Sequence, residues 1–302
     1  MSIVSILLPI FFVFGVGFIF QKKFQVHTST FSKLALYILV PFLIFRTFYQ
    51  ESINLSYLYI IVYMLGLCIA VIVIISTYSK FNNYNEKERC SLILSCAFMN
   101  NGNYGTPLIL FLFGTSGMEM AIVLMVLQQL LMSTLGIYYA AKGSEKNNGV
   151  KAALKSVKRM PMVYAAIIGI VFNRLDIPIG TIGDGVNLIA DAAIPFIMLT
   201  LGMQLANIKI YALEYKKISV ALVIKLAIAP ILAVAIVWWM PVTPLIKQIM
   251  IIMAATPTAA NTTMYAIQYD TEPQTVTSAT LATTLGSLIT MPIVIYLVTN
   301  PM

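Results

Sequence analysis

Apolar runs separated by short polar turns follow one another along the whole chain. A helix of roughly 20 apolar residues spans the hydrocarbon core of a bilayer, so each run is a candidate transmembrane helix. Ten runs fit: about 2–20, 30–48, 55–79, 88–113, 118–140, 160–174, 181–206, 216–240, 245–268 and 273–298. The pattern predicts an all-α membrane protein with ten transmembrane helices.

Two spans are interrupted where a helix should be most apolar. Asn100-Asn101-Gly102-Asn103-Tyr104-Gly105-Thr106-Pro107 sits inside the run from Cys90 to Phe113, and Ala255-Thr256-Pro257-Thr258-Ala259-Ala260-Asn261 has the same character. Irregular backbone is tolerated at membrane depth only where protein or a water-filled cavity covers it. Helices 4 and 9 are therefore expected to be broken and to cross at mid-membrane around a solute site. Threonine is a good N-cap and proline suits the first helical position, so Thr106-Pro107 and Thr256-Pro257 each read as the start of a half-helix. Helix N-termini carry unpaired N–H groups and partial positive charge, which suits a carboxylate. Asn100, Asn101, Asn103, Thr256, Thr258 and Asn261 would supply uncharged donors and acceptors around it.

The second half of the chain echoes the first. Pro9 precedes Gly17 by eight residues, as Pro161 precedes Gly169. Phe18-Ile19-Phe20-Gln21-Lys22 parallels Ile170-Val171-Phe172-Asn173-Arg174, and Pro41-Phe42-Leu43-Ile44 parallels Pro195-Phe196-Ile197-Met198. Thr106-Pro107 answers Thr256-Pro257, and each proline is followed 29 residues later by a glycine, Gly136 or Gly286. Four matches in the same order, at offsets of 150 to 154, imply two five-helix repeats. Five is odd, so the repeats are inverted, the plan of many secondary transporters. They cover residues 1–140 and 160–302, joined by a loop at 141–159.

Composition agrees with the pattern. Hydrophobic residues make up 60% of the 302 and charged ones 10%, against roughly 45–50% and about 25% in ordinary globular chains. The mean hydropathy is +0.89. A net charge of +8 would suit nucleic acid, but the basic residues sit in short loops, where they set topology instead. Lys22, Lys23 and Lys33 flank the first turn, and Lys80, Lys87 and Arg89 follow span three. Lys142, Lys146, Lys151, Lys155, Lys158 and Arg159 follow span five, and Lys209, Lys216 and Lys217 follow span seven. The alternate connections hold only Arg46, Arg174 and Lys247. Both termini are thus expected outside a plasma membrane, with the long loop in the cytoplasm. The turn at Asp270 and Glu272 is placed inside by parity alone. No basic segment precedes the first run and Lys22-Lys23 follows it, which reads as an uncleaved first helix. Cys68, Cys90 and Cys96 lack metal spacing and His27 falls in a loop, so no cofactor is expected.

A few charges and amides fall within apolar runs. Lys225, in Val223-Ile224-Lys225-Leu226-Ala227-Ile228-Ala229-Pro230, is a functional candidate by default. Its structural alternative is an ion pair with Asp191, four residues before Pro195. Either group can titrate and couple protons to transport. Arg46, near the end of span two, reads as a snorkelling side chain, and Gln128 and Gln129 as helix-to-helix glue.

At these residues the chain resembles the auxin efflux carrier family, which includes bacterial organic-acid permeases and the plant auxin exporters. The octet is similar to the family's Asn-Thr-Gly-x-x-Gly-x-Pro pattern, with Asn100, Gly102, Gly105 and Pro107 in the fixed places and Asn101 where threonine is usual. Lys225 with Pro230, Ala190-Asp191-Ala192 with Leu201-Gly202, and Pro257 with Tyr269-Asp270 and Thr284…Pro292 resemble further family signatures. The resemblance implies a scaffold of spans 1, 2, 6 and 7 and a transport part of spans 3–5 and 8–10. It also implies elevator-type movement of an organic anion across a plasma membrane, here a bacterial inner membrane, and a homodimer. It makes Asn100 a substrate-side residue and Pro107 and Pro257 the marks of the crossover. The expected substrate-binding set is Asn100, Asn101, Asn103, Gly105, Pro107, Thr256, Pro257, Thr258 and Asn261, with Lys225 and Asp191 as coupling charges. Family members often carry asparagine where Met160 stands, and the auxin exporters another where Met162 stands. That departure points away from an auxin-like aromatic acid and leaves dicarboxylates or other small organic anions open.

Two other classes compete with an organic-anion carrier. A sodium-coupled symporter of the bile-acid type would bind sodium at unwound carbonyls, yet no acidic side chain adjoins either break. A non-transporting membrane sensor would want an output domain. An enzyme is disfavoured because no nucleophile–histidine pairing or acidic metal cluster is legible.

Overall fold

The computed structural model describes residues 3–51, 55–144, 149–207 and 214–300. Residue 2 of the first expected span, and the basic Lys146 and Lys209, lie outside them. The described residues form helices and no strand, apart from one isolated bridge. The first half holds α1 (Ile3–Phe24), α2 (Thr28–Leu34), α3 (Val40–Gln50), α4 (Leu55–Phe81), α5 (Glu86–Cys96), α6 (Thr106–Leu131), α7 (Ile137–Lys142) and α8 (Gly149–Val157). The second holds α9 (Pro161–Arg174), α10 (Ile182–Ala206), α11 (Tyr215–Val223), α12 (Ala229–Trp238), α13 (Pro244–Ala254), α14 (Ala260–Tyr269) and α15 (Pro273–Thr299). Wider π-helical turns at Ala35–Leu39, Asn101–Gly105, Met132–Gly136 and Ile224–Ile228 join or precede several of them.

Among the described residues, six stretches are long and apolar enough to cross a membrane: Thr28–Gln50, Ser56–Phe81, Asn101–Lys142, Ile182–Ala206, Tyr215–Trp238 and Pro273–Thr299. Helices α9 and α13 are apolar but shorter. Gly114 divides α6: its φ of 69° and ψ of −156° end one helix and start the next. Glycine alone enters that region without strain.

Local sequence explains the helix starts. Asn85 opens α5 with a reciprocal cap, its side chain accepting the Glu88 N–H at 2.9 Å while the Glu88 carboxylate accepts the Asn85 N–H at 2.8 Å. Pro161, Pro244 and Pro273 stand at the first positions of α9, α13 and α15, where a missing N–H costs nothing.

The chain forms two compact units. The first comprises Met1–Leu58, Gly102–Val126 and Arg159–Asn207; the second comprises Tyr59–Asn101, Leu127–Lys158 and Ile208–Met302. In the first, α1 packs on α10 and α9 packs on α3. A Cβ on Gly17 would stand 2.1 Å from the Leu199 carbonyl oxygen, and one on Gly202 would stand 2.0 Å from that of Phe14. On Gly169 it would stand 2.7 Å from the carbonyl oxygen of Phe45. Small residues let the backbones touch. Side-chain amides then close the ends: Gln21 Nε2 donates to Asn207 Oδ1 at 3.0 Å, and Asn173 Nδ2 donates to the Tyr49 carbonyl at 2.8 Å. Gly17 and Gly169, and Gln21 and Asn173, are residues that the sequence sets in correspondence. Each does the same job in its own helix pair.

In the second unit Lys217, counted above only as a topology signal, is buried among three carboxylates. Its Nζ lies 3.0 Å from Glu88, 2.9 Å from Glu214 and 2.9 Å from Glu272. The Ser91 hydroxyl donates to Glu272 at 2.7 Å. The carboxylates offset the cost of burying the Lys217 ammonium, and the cluster ties the starts of α5, α11 and α15 together.

Candidate functional site

The site is built in the second unit, where two helices stop short. Helix α5 ends at Cys96, and Ala97–Asn100 leave the helical path; α13 ends at Ala254, and Ala255–Ala259 do the same. A helix end orphans backbone groups, and each break here supplies what the other lacks. The Asn100 N–H donates to the Pro257 carbonyl at 2.9 Å, and the Ala259 N–H donates to the Phe98 carbonyl at 3.0 Å. Met99 and Thr258 thus form an antiparallel bridge. Interrupted backbone in an apolar interior is satisfied by pairing the two interruptions.

Hydroxyl groups complete the lattice. The Thr258 hydroxyl donates to the Ser95 carbonyl at 2.5 Å, and its N–H donates to Thr283 Oγ1 at 3.2 Å. The Thr256 hydroxyl lies 2.8 Å from the Met253 carbonyl and 3.3 Å from Asn101 Oδ1. Thr256, Thr258 and Thr283 are fully buried. Ser95 and Thr283 were not singled out from the sequence, because serine and threonine abound in these spans.

The Thr-Pro pairs differ in what they start: α6 begins at Thr106 as expected, though behind a π-helical turn, whereas α14 does not begin at Thr256. Helical turns resume at Asn101, so Thr106 and Pro107 already lie within the helical path. The N-cap of α14 is Ala259, with φ −63° and ψ 129° and no side-chain cap. Thr256 caps nothing, since its hydroxyl turns back to the preceding helix. Pro257 lies in the extended segment, where a residue without an N–H fits and its carbonyl can accept from the opposite strand.

The expected site residues divide between the units. Asn100, Asn101, Thr256, Pro257, Thr258, Asn261 and Lys225 belong to the second; Asn103, Gly105, Pro107 and Asp191 belong to the first. Asn100 is 5% exposed, and its carboxamide bonds to no other described residue. Asn261, in the first turn of α14, is half-buried. Lys225 is fully buried, with Nζ 3.5 Å from the Ala254 carbonyl. That carbonyl belongs to the last residue of α13, the partially negative end of a helix. No carboxylate pairs with Lys225 among the described residues. The partner considered for it, Asp191, is committed to Arg46, whose Nη1 lies 2.6 Å from Asp191 Oδ1. Arg46 therefore makes an ion pair rather than snorkelling alone. Gln129 bonds within its own turn, to Ser133 Oγ at 3.4 Å. The three cysteines are buried and free.

Comparison with known proteins agrees with this architecture. The profile of a family described as membrane transport protein matches residues 2–158 and 149–295. An uncharacterized transporter of Methanothermobacter thermautotrophicus is 24% identical over 270 residues, covering 88% of this chain and 87% of that protein. The uncharacterized transporter MJ1031 of Methanocaldococcus jannaschii is 22% identical over 300 residues, covering 96% of each chain. Matched along nearly its whole length, the chain belongs to this membrane transport protein family, the auxin efflux carrier-like transporters whose motifs it carries.

Proposed function

We propose that the protein is a secondary carrier that moves a small organic anion across the plasma membrane by elevator-type alternating access. The observation that carries this reading is the paired break at Phe98–Asn100 and Pro257–Ala259. Two interrupted helices that satisfy each other's backbone leave the N-terminal N–H groups of α14 and the Asn100 carboxamide as uncharged groups for a carboxylate. Asn101 and Asn261 complete the set in that unit, and Asn103, Gly105 and Pro107 continue it along the chain. Thr256, Pro257 and Thr258 shape the site through the backbone. The ten-span count follows when α5 with the start of α6, and α13 with α14, are each taken as one broken span crossing at mid-membrane. The matched roles of Gly17 with Gly169 and of Gln21 with Asn173 support two inverted repeats. A homodimer is part of the same reading.

Lys225 favours this reading over the sodium-coupled alternative. Its side-chain nitrogen stands at the carbonyl end of α13, beside the break, and would compete there with a bound cation. The test is uptake of radiolabelled mono- and dicarboxylates by proteoliposomes. Asn100→Ala is expected to lower the initial rate at least about tenfold with unchanged thermal unfolding; wild-type flux in that variant would dismiss the site. Flux should persist when choline replaces sodium, and Lys225→Met should flatten its dependence on pH.

A further inference from the structure

A cavity of about 530 Å³ lies wholly within the first unit, lined from α1, α3, α6 and α10. One part of its wall is apolar, with Val13, Leu110, Phe111, Ile194 and Met198. The other part is charged. Arg46, the single cationic group of the lining, is already neutralised by Asp191 at 2.6 Å. Glu51 and Glu119 remain, and neither forms an ion pair among the described residues. The lining therefore holds more carboxyl groups than cationic ones. Among the described residues Tyr57 also stands near the pair, and it adds no positive charge.

A partly apolar chamber with more carboxyl groups than cationic ones is complementary to a cation carried on a hydrophobic frame. We propose that this cavity binds a small molecule bearing one ammonium group, with the ammonium against Glu51 and Glu119 and the frame against Phe111, Ile194 and Met198. The ligand is opposite in sign to the organic anion proposed above, so this site stands or falls independently of the paired break. The same ammonium chemistry is offered by a free amine and by the headgroup of phosphatidylethanolamine.

Calorimetry and thermal unfolding of the full chain in detergent micelles test it with three probes of one shape: phenethylamine, phenylalanine and 3-phenylpropionate. The amine is expected to bind saturably and raise the unfolding temperature, phenylalanine to bind more weakly, and the acid not to bind. Glu119→Gln should weaken amine binding about tenfold. Arg46→Gln, which uncovers Asp191, should tighten it roughly threefold, an effect that a purely structural ion pair would not produce. Thr115→Trp, at an exposed lining position, should abolish binding without changing charge. Displacement of the amine by added phosphatidylethanolamine assigns the ligand to the lipid, and failure to displace it assigns the ligand to a free amine. Tighter binding of 3-phenylpropionate than of phenethylamine, or amine binding that survives Thr115→Trp, would overturn the proposal.

Discussion

The two helix breaks face each other as partners, yet they are built from different chemistry. At the first break Met99 occupies the bridging position and brings only a thioether; at the second the bridging residue is Thr258, whose hydroxyl and N–H are both used. The first is followed by a π-helical turn, the second by an ordinary helix capped by Ala259. The helix pairs of the first unit behave otherwise: α1 on α10 and α9 on α3 repeat one solution, glycine against a carbonyl and an amide at the end. Repetition is kept where backbone touches backbone, because only glycine fits there. It is relaxed where two strands need only exchange hydrogen bonds, which any residue supplies.

Substituting the contact glycines should have the largest effect. Gly202→Ala and Gly17→Ala force a methyl to within 2.0–2.1 Å of a carbonyl oxygen, and Gly169→Ala to within 2.7 Å. Overpacking of this kind costs about 1–3 kcal/mol or more. Thermal unfolding in detergent should rank Gly202→Ala and Gly17→Ala as more damaging than Gly169→Ala. Equal, negligible losses would show that the helices part easily and that the correspondence is accidental.

The threonines of the second break come next. Thr258→Val leaves the Ser95 carbonyl without its donor in a fully buried place, a loss of about 1–3 kcal/mol. Thr256→Val removes a bond to the carbonyl three residues back, worth about 0.5–1.5 kcal/mol. A larger loss for Thr256 than for Thr258 would mean that the Thr258–Ser95 bond is not the main tie between the two breaks.

These contrasts explain what the sequence disclosed. Hydropathy located the long apolar helices because burial in lipid constrains every residue of a span. The glycine and amide correspondences were legible because each position tolerates few residues. The position of the first break was not: Ala97, Phe98 and Met99 are as apolar as their neighbours, so nothing marks where the helix lets go. Thr106-Pro107 marks a later point, where the π-helical turn gives way to α6. The Arg46–Asp191 pair was hidden for another reason, since its members stand 145 residues apart and share no local pattern.

The two prolines set the finest contrast, because the sequence treats them as equivalents and the structure does not. Pro257 lies in the extended segment; replacing it with alanine introduces a buried N–H and a more flexible unfolded chain, together about 0.4–1 kcal/mol or somewhat more. Pro107 is the second residue of α6, where alanine is the better helix former and the new N–H points along a helical turn. Pro107→Ala is therefore expected to leave the unfolding temperature unchanged or slightly raised, while Pro257→Ala lowers it. Parallel losses in the two variants would restore the symmetry of the Thr-Pro pairs.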